Sequence, residues 1–207
     1  MNDRTRSSAG RSGVTTAAPR SANHRVRIIG GQWKRTPLPV AASASLRPTP
    51  ARVRETLFNW LGQDLSGWRC VDAFAGTGAL GFEAASRGAA EVRLIEQDRA
   101  LVQRLEAVRR KLGADAVLIE CGDGVAALAR LAPGSVDLVF LDPPFDAGCF
   151  DAALRAAAQA IRPGGRIYLE APTAWGDEAL APFGLRLSRH LHAGMVHAHL
   201  LERASEV

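Results

Sequence analysis

From Trp68 onward, short apolar runs alternate with helix-patterned stretches, and no other feature constrains the fold as tightly. The apolar runs predict strands at 69–74, 91–96, 116–120, 136–141 and 166–170. Between them the 3.6-residue periodicity predicts helices at 79–87, 98–112, 124–131 and 148–161. Strands spaced by single helices must run parallel and be covered on both faces, so the fold class is α/β. The last part differs. Residues 185–192 and 195–202 flank Ala193-Gly194 and predict an antiparallel hairpin that completes a mostly parallel seven-stranded sheet.

The turn out of the first of these strands reads Asp72-Ala73-Phe74-Ala75-Gly76-Thr77-Gly78-Ala79-Leu80-Gly81. Its glycines fit G-x-G-x-x-G, and Glu96 follows Gly76 by 20 residues, at the end of the second strand. Such a loop lets backbone approach a nucleotide-like ligand, and the strand-end acid accepts from ribose hydroxyls. An acid at the start of the loop would repel a diphosphate. Asp72 instead suits the ammonium of S-adenosylmethionine (SAM), which has ribose and adenine but no pyrophosphate. Asp72-x-Phe74-x-Gly76-x-Gly78 resembles motif I of class I SAM-dependent methyltransferases. Phe74, Glu96, the adjoining Gln97 and Asp123 complete the expected cofactor set. Asp123 matches that family's acid for the adenine amine and also suits a helix N-cap.

The fourth strand of the series ends in Asp142-Pro143-Pro144-Phe145. In an open parallel sheet that position faces the same crevice as the glycine loop. An exocyclic base amine is a poor nucleophile, because its lone pair is delocalised into the ring. Acceptors on its two hydrogens, the Asp142 carboxylate and the Pro143 carbonyl, favour a pyramidal nitrogen. The prolines fix the backbone and remove competing donors. Phe145 offers a stacking face for the base. Asp142, with an ordinary carboxylate pKa, then takes the surplus proton.

Charge divides the chain. Residues 1–60 carry +9 and residues 61–207 carry −4. A basic head points to a polyanion, either nucleic acid or an anionic membrane surface. The 47% hydrophobic content excludes a wholly disordered chain. The apolar runs fall well short of a bilayer span and no signal-peptide core follows the start. Cys70, Cys121 and Cys149 are scattered, without disulfide or zinc spacing. A cytoplasmic protein is expected. Residues 1–24 read as a disordered basic tail, although an Arg- and Ser-rich transit peptide has the same composition. Residues 25–62 read as an extension: a hairpin around Gly30-Gly31, a loop, and a helix capped by Thr49 with Pro50 at its first position. On that helix Val53, Leu57, Trp60 and Leu61 share one face, while Arg52 and Arg54 point elsewhere. Residues 63–207 form the main domain.

Residues 25–202 as a whole resemble the RsmD-type 16S rRNA guanine-N2 methyltransferases of bacteria. The resemblance rests on Arg27-Ile28-Ile29-Gly30-Gly31-Gln32-Trp33, on Leu46-Arg47-Pro48-Thr49, on Arg52-Val53-Arg54-Glu55-Thr56-Leu57-Phe58-Asn59-Trp60-Leu61, and on the glycine loop and Asp142-Pro143-Pro144-Phe145. It implies a Rossmann-like class I methyltransferase fold with a small N-terminal extension. It also implies methylation of one guanine in 16S rRNA, on an assembled or partly assembled 30S particle. Arg25, Arg27, Lys34, Arg35, Arg47, Arg52 and Arg54 are then candidates for phosphate contact, which positions RNA without reading its sequence. Trp33 is a candidate for stacking or for packing, and residues 46–56 for one wall of the cofactor pocket. A monomer suffices for one flipped base.

Three other readings compete: the same chemistry on adenine N6 of DNA, a non-catalytic RNA assembly module, and an NAD-dependent oxidoreductase. The pairs His190-x-His192 and His197-x-His199 put two imidazoles on one face of each hairpin strand. No cysteine or carboxylate pattern accompanies them, so no metal is expected.

Overall fold

The computed structural model describes residues 26–39 and 49–204. The tail expected at 1–24 lies outside them, as do Arg25 and Leu46-Arg47-Pro48. A small antiparallel pair, β1 (Val26–Arg27) and β2 (Pro37–Leu38), is followed by α1 (Ala51–Leu61). The main domain then runs β3 (Arg69–Asp72), α2 (Ala79–Ser86), β4 (Glu91–Glu96), α3 (Arg99–Leu112), β5 (Val117–Cys121), α4 (Gly124–Ala129), β6 (Val136–Leu141), α5 (Phe150–Ala160), β7 (Ile161–Ala171), α6 (Asp177–Leu180), β8 (Leu185–Ala193) and β9 (Val196–Arg203).

The sheet has seven strands in the order β5-β4-β3-β6-β7-β9-β8. β3 through β7 are parallel, and β9 is antiparallel to both of its neighbours. The strand order reverses between β3 and β6, which opens a crevice beyond their carboxyl ends. Successive strand residues face opposite sides, and the core divides accordingly. Cys70, Leu138, Phe140 and Tyr168 pack with α1, α2 and α3. Val71, Val139, Leu141, Ile167 and Leu169 pack with α4, α5 and α6.

The extension is built into this core. Val53, Leu57 and Phe58 of α1 are buried, each adding about 1.5–3 kcal/mol by removal from water. Phe58 lies 6.2 Å from Phe140, whose ring is 6.3 Å from Tyr168 in an edge-on arrangement. Arg54 is buried too, 2% exposed, contrary to the expected outward orientation. The reason is a partner that helical periodicity cannot reveal, Glu83 on α2. The Glu83 carboxylate is fully buried. It accepts from the backbone N–H groups of Ile29 (2.6 Å) and Gly30 (2.7 Å) and from Arg87 Nε (2.9 Å). Arg54 completes this arrangement, with Nη1 3.9 Å from Glu83 Oε2 and 2.9 Å from the Arg27 carbonyl.

The expected hairpin is present, but its tip is Gly31–Arg35, with Ile28 bonded to Thr36 and Arg35. Gly30-Gly31 serves a close approach to α2. A Cβ at Gly30 would fall 2.4 Å from the Arg87 guanidinium, and one at Gly31 1.8 Å from the Ser86 carbonyl. Trp33 packs against the core. Thr49 does not cap α1; Pro50 is the cap residue and no side chain bonds the helix start. The strand expected at 166–170 begins earlier, at Ile161, and Arg162-Pro163-Gly164-Gly165 lie inside it as an irregularity between the Val136–Ile161 and Leu138–Arg166 pairs. The short α6 was not anticipated, since four residues show no periodicity.

Candidate active site

A cleft of about 1190 Å³ opens at the carboxyl ends of β3, β4 and β6. Asp72, Phe74, Gly76, Glu96, Gln97, Asp123, Asp142, Pro143 and Phe145, nine residues expected at the site, all line it. Gly78 sits just beneath, in the left-handed conformation that starts α2. A Cβ there would press on Phe82 and Leu105 at 2.6–2.8 Å. Gly81 allows α2 to lie against β4, because a Cβ would reach Leu94 at 2.0 Å.

On the cofactor side, Asp72 is buried at the end of β3. Its Oδ2 accepts from Gly81 N at 3.1 Å, while its Oδ1 has no partner. Burial pushes its pKa up to about 7, partly offset by the Gly81 amide. An unpaired carboxylate oxygen in a cleft is a ready partner for an ammonium group. Glu96 accepts from Gly76 N (2.9 Å) through Oε2 and from Asp98 N (2.8 Å) through Oε1. Each oxygen keeps a free lone pair for a hydroxyl. Asp123 does cap α4, with Oδ1 2.7 Å from Ala126 N. These groups fit the amino-acid end and the ribose of SAM.

On the opposite side, Asp142 and Pro143 leave β6 beside β7. Thr49 Oγ1 donates to Asp142 Oδ2 at 3.4 Å, so the residue expected to cap α1 is instead a wall of the cleft. Asp142 is not an ordinary carboxyl. Burial holds its pKa well above the usual range, and the charges of Glu170 and Asp72 push it further in the same direction. Phe145 is 39% exposed, so it is not a core residue. Met195 forms the tip of the β8–β9 hairpin, 70% exposed and also on the cleft wall.

Sequence reading missed Glu170, at the end of β7 on the cleft wall and only 2% exposed. It has the same signature as Asp72, Glu96 and Asp142, an acid closing an apolar strand. Tyr168 donates to its Oε1 at 2.8 Å. Burial raises its pKa, and the Thr49 and Tyr168 hydroxyls and the charge of Arg54 oppose that rise.

The basic candidates lie elsewhere. Arg27, Lys34, Arg35 and Arg52 are exposed on the extension and do not line the cleft. Arg54, held by Glu83, is removed from the set of phosphate contacts. Arg25 and Arg47 fall outside the described residues. The four hairpin histidines form a single ladder, with rings of His192 and His197 4.2 Å apart and those of His190 and His199 4.8 Å apart. His199 Nε2 accepts from Trp175 N (3.0 Å) and its Nδ1 donates to the Leu169 carbonyl (3.2 Å). That fixes a neutral ring with a packing role, and burial lowers its pKa to about 4.

Residues 26–202 match the family model described as "Conserved hypothetical protein 95". Ribosomal RNA small subunit methyltransferase D of Escherichia coli (strain K12) is 38% identical over 193 residues, covering 90% of this chain and 94% of that one. The solved structure of yhhF from Escherichia coli aligns with a TM-score of 0.74 at 36% identity, over 88% and 99% of the two chains. Precorrin-6y C5,15-methyltransferase from Geobacter metallireducens GS-15 has a TM-score of 0.61 at 18% identity, over 80% and 94%, a likeness of fold alone. The sheet is thus of the Rossmann-like methyltransferase type that the strand pattern and the resemblance led us to expect.

Proposed function

This chain belongs to the conserved hypothetical protein 95 family, the RsmD-type methyltransferases, and we propose that it transfers a methyl group from SAM to the N2 amine of a guanine in 16S rRNA, on a 30S particle. The observation that carries this reading is the pairing of two acidic walls across one cleft. Asp72 with its unpaired oxygen and Glu96 stand on one side; Asp142-Pro143 and the exposed Phe145 stand on the other.

In this reading Asp72 holds the ammonium of SAM, Glu96 the ribose hydroxyls and Asp123 the adenine amine. When bound, SAM supplies an electrophilic methyl on a sulfonium. The target base leaves its stack and lies on Phe145. Asp142 and the Pro143 carbonyl accept the two amine hydrogens, which localises the nitrogen lone pair. Holding both partners in line supplies most of the acceleration. The methylated nitrogen then loses one proton to Asp142. A carboxyl whose pKa is raised is a better acceptor near neutral pH than an ordinary one. Arg27, Lys34, Arg35, Arg47 and Arg52 contact phosphates, so affinity for RNA falls with added salt.

The test is methyl transfer from labelled SAM to naked 16S rRNA and to 30S particles, with nucleoside mass spectrometry of the product. N2-methylguanosine at one nucleotide is expected, with the particle the better substrate. Its absence from both substrates rejects the reading.

A further inference from the structure

Glu170 has no role in the chemistry above, yet it is a buried carboxylate on the wall of the cleft beside Asp142. β6 and β7 are in register through the Leu141–Leu169 pair; Asp142 and Glu170 each lie one residue further. The Thr49 hydroxyl donates to Asp142 and lies near enough to Glu170 to favour its anion. One hydroxyl hydrogen does not satisfy two carboxylates. A carboxylate accepts up to about four hydrogen bonds, and Tyr168 occupies only one position on Glu170. Glu170 has more neighbours that favour its ionised form than Asp142 has. The Arg54 charge and two hydroxyls favour its anion, whereas Asp142 has the Thr49 hydroxyl alone and faces the charges of Glu170 and Asp72.

Two adjacent acceptors require two adjacent donors. On the Watson–Crick edges of the bases, guanine offers N1–H beside its N2 amine. Adenine and cytosine set a bare ring nitrogen beside their amine, and that lone pair would face an anion. We propose that Glu170 selects the target base, accepting the N1–H of guanine while Asp142 accepts from its N2 amine. The inference rests on the function proposed above and deepens it. It names the residue that excludes adenine and cytosine, a choice Asp142-Pro143-Pro144-Phe145 does not make by itself.

The experiment uses 30S particles carrying either guanosine or 2-aminopurine riboside at the methylated nucleotide. 2-Aminopurine keeps the N2 amine but has a lone pair at N1. The readout is the ratio of kcat/KM for the two substrates. Wild type should favour guanosine by roughly five- to a hundredfold, as expected for one well-made base contact. Glu170→Gln, whose amide donates as well as accepts, should lose most of that preference. Comparing the ratio between the two proteins separates Glu170 from the oxygen that 2-aminopurine also lacks. Tyr168→Phe removes a donor to Glu170 without removing the carboxylate and should lower the preference partway; it decides the matter if Glu170→Gln does not fold. A preference unchanged in these variants, or absent from wild type, overturns the assignment of Glu170. Failure of wild type to make any N2-methylguanosine rejects the proposed function itself, and this inference with it.

Discussion

Thr49 Oγ1 meets Asp142 Oδ2 at 3.4 Å, joining two residues 93 positions apart. This contact ties the N-terminal extension to the proposed proton acceptor. The hydroxyl stabilises the ionised form of Asp142 and of Glu170. In the proposed mechanism Asp142 acts ionised, so activity should rise with pH through its raised pKa. In Thr49→Val that acidic limb should move to higher pH. A pH–rate profile of single-turnover methylation measures it; a limb in the wild-type position would remove Thr49 from this role.

Asp142→Asn should lose about 10²–10⁴-fold in turnover, the range for removal of an acid–base group. The fold should persist, because the amide can still accept from Thr49. Single-turnover kinetics alongside a thermal melt would distinguish lost chemistry from lost structure.

Asp72 makes stability depend on pH. Its carboxyl has a pKa of about 7 when folded, against 3.8 for the free side chain. Between those values the folded state holds a proton that the unfolded state has released. Its contribution to stability is therefore complete below pH 3.8 and declines as pH rises to about 7. The loss is on the order of a few kcal/mol. Asp72→Asn should abolish it, giving a higher melting temperature at pH 8 without ligand. The same variant should gain far less stability from added SAM than wild type does. Melting curves at pH 5 and pH 8, with and without SAM, test both expectations.

Glu83→Gln should destabilise the protein by about 3–5 kcal/mol, the usual result of leaving buried charges without their partner. Arg54 and Arg87 lose their anion, and one amide hydrogen must face the N–H of Ile29 or Gly30. Urea denaturation gives the value. A change under 1 kcal/mol would mean that the extension is held by apolar packing alone.

Phe145→Ala should change folding stability by under about 0.5 kcal/mol, as for most exposed positions. Its effect should fall on RNA instead, lowering kcat/KM by roughly five- to a hundredfold for one lost base stack. Steady-state kinetics on 30S particles would show it.

Much of this was legible in the sequence, and what was hidden has a common cause. β3 to β7 announce themselves as apolar runs, and the glycine loop and Asp142 follow from local patterns. Arg54, Glu83 and Glu170 do not. A charged residue is buried only when partners enclose it, and several of those partners here lie far along the chain. Ile29 and Glu83 are 54 residues apart, and Thr49 and Asp142 are 93. Helical periodicity therefore assigned Arg54 to solvent, and capping rules assigned Thr49 to a helix it does not cap. The raised pKa of Asp142 was hidden for the same reason, since Glu170 was not recognised as its neighbour.

The position of β9 has a consequence for synthesis. β9 follows β8 in the chain yet lies between β7 and β8, with Ala198, His199, Leu200 and Leu201 buried. A ribosome making this protein releases β8 before the strand that joins it to the sheet exists. Until residue 203 has emerged, β7 keeps an open edge and β8 has no place in the fold. The sheet therefore closes from the inside, and only once the chain through β9 is available.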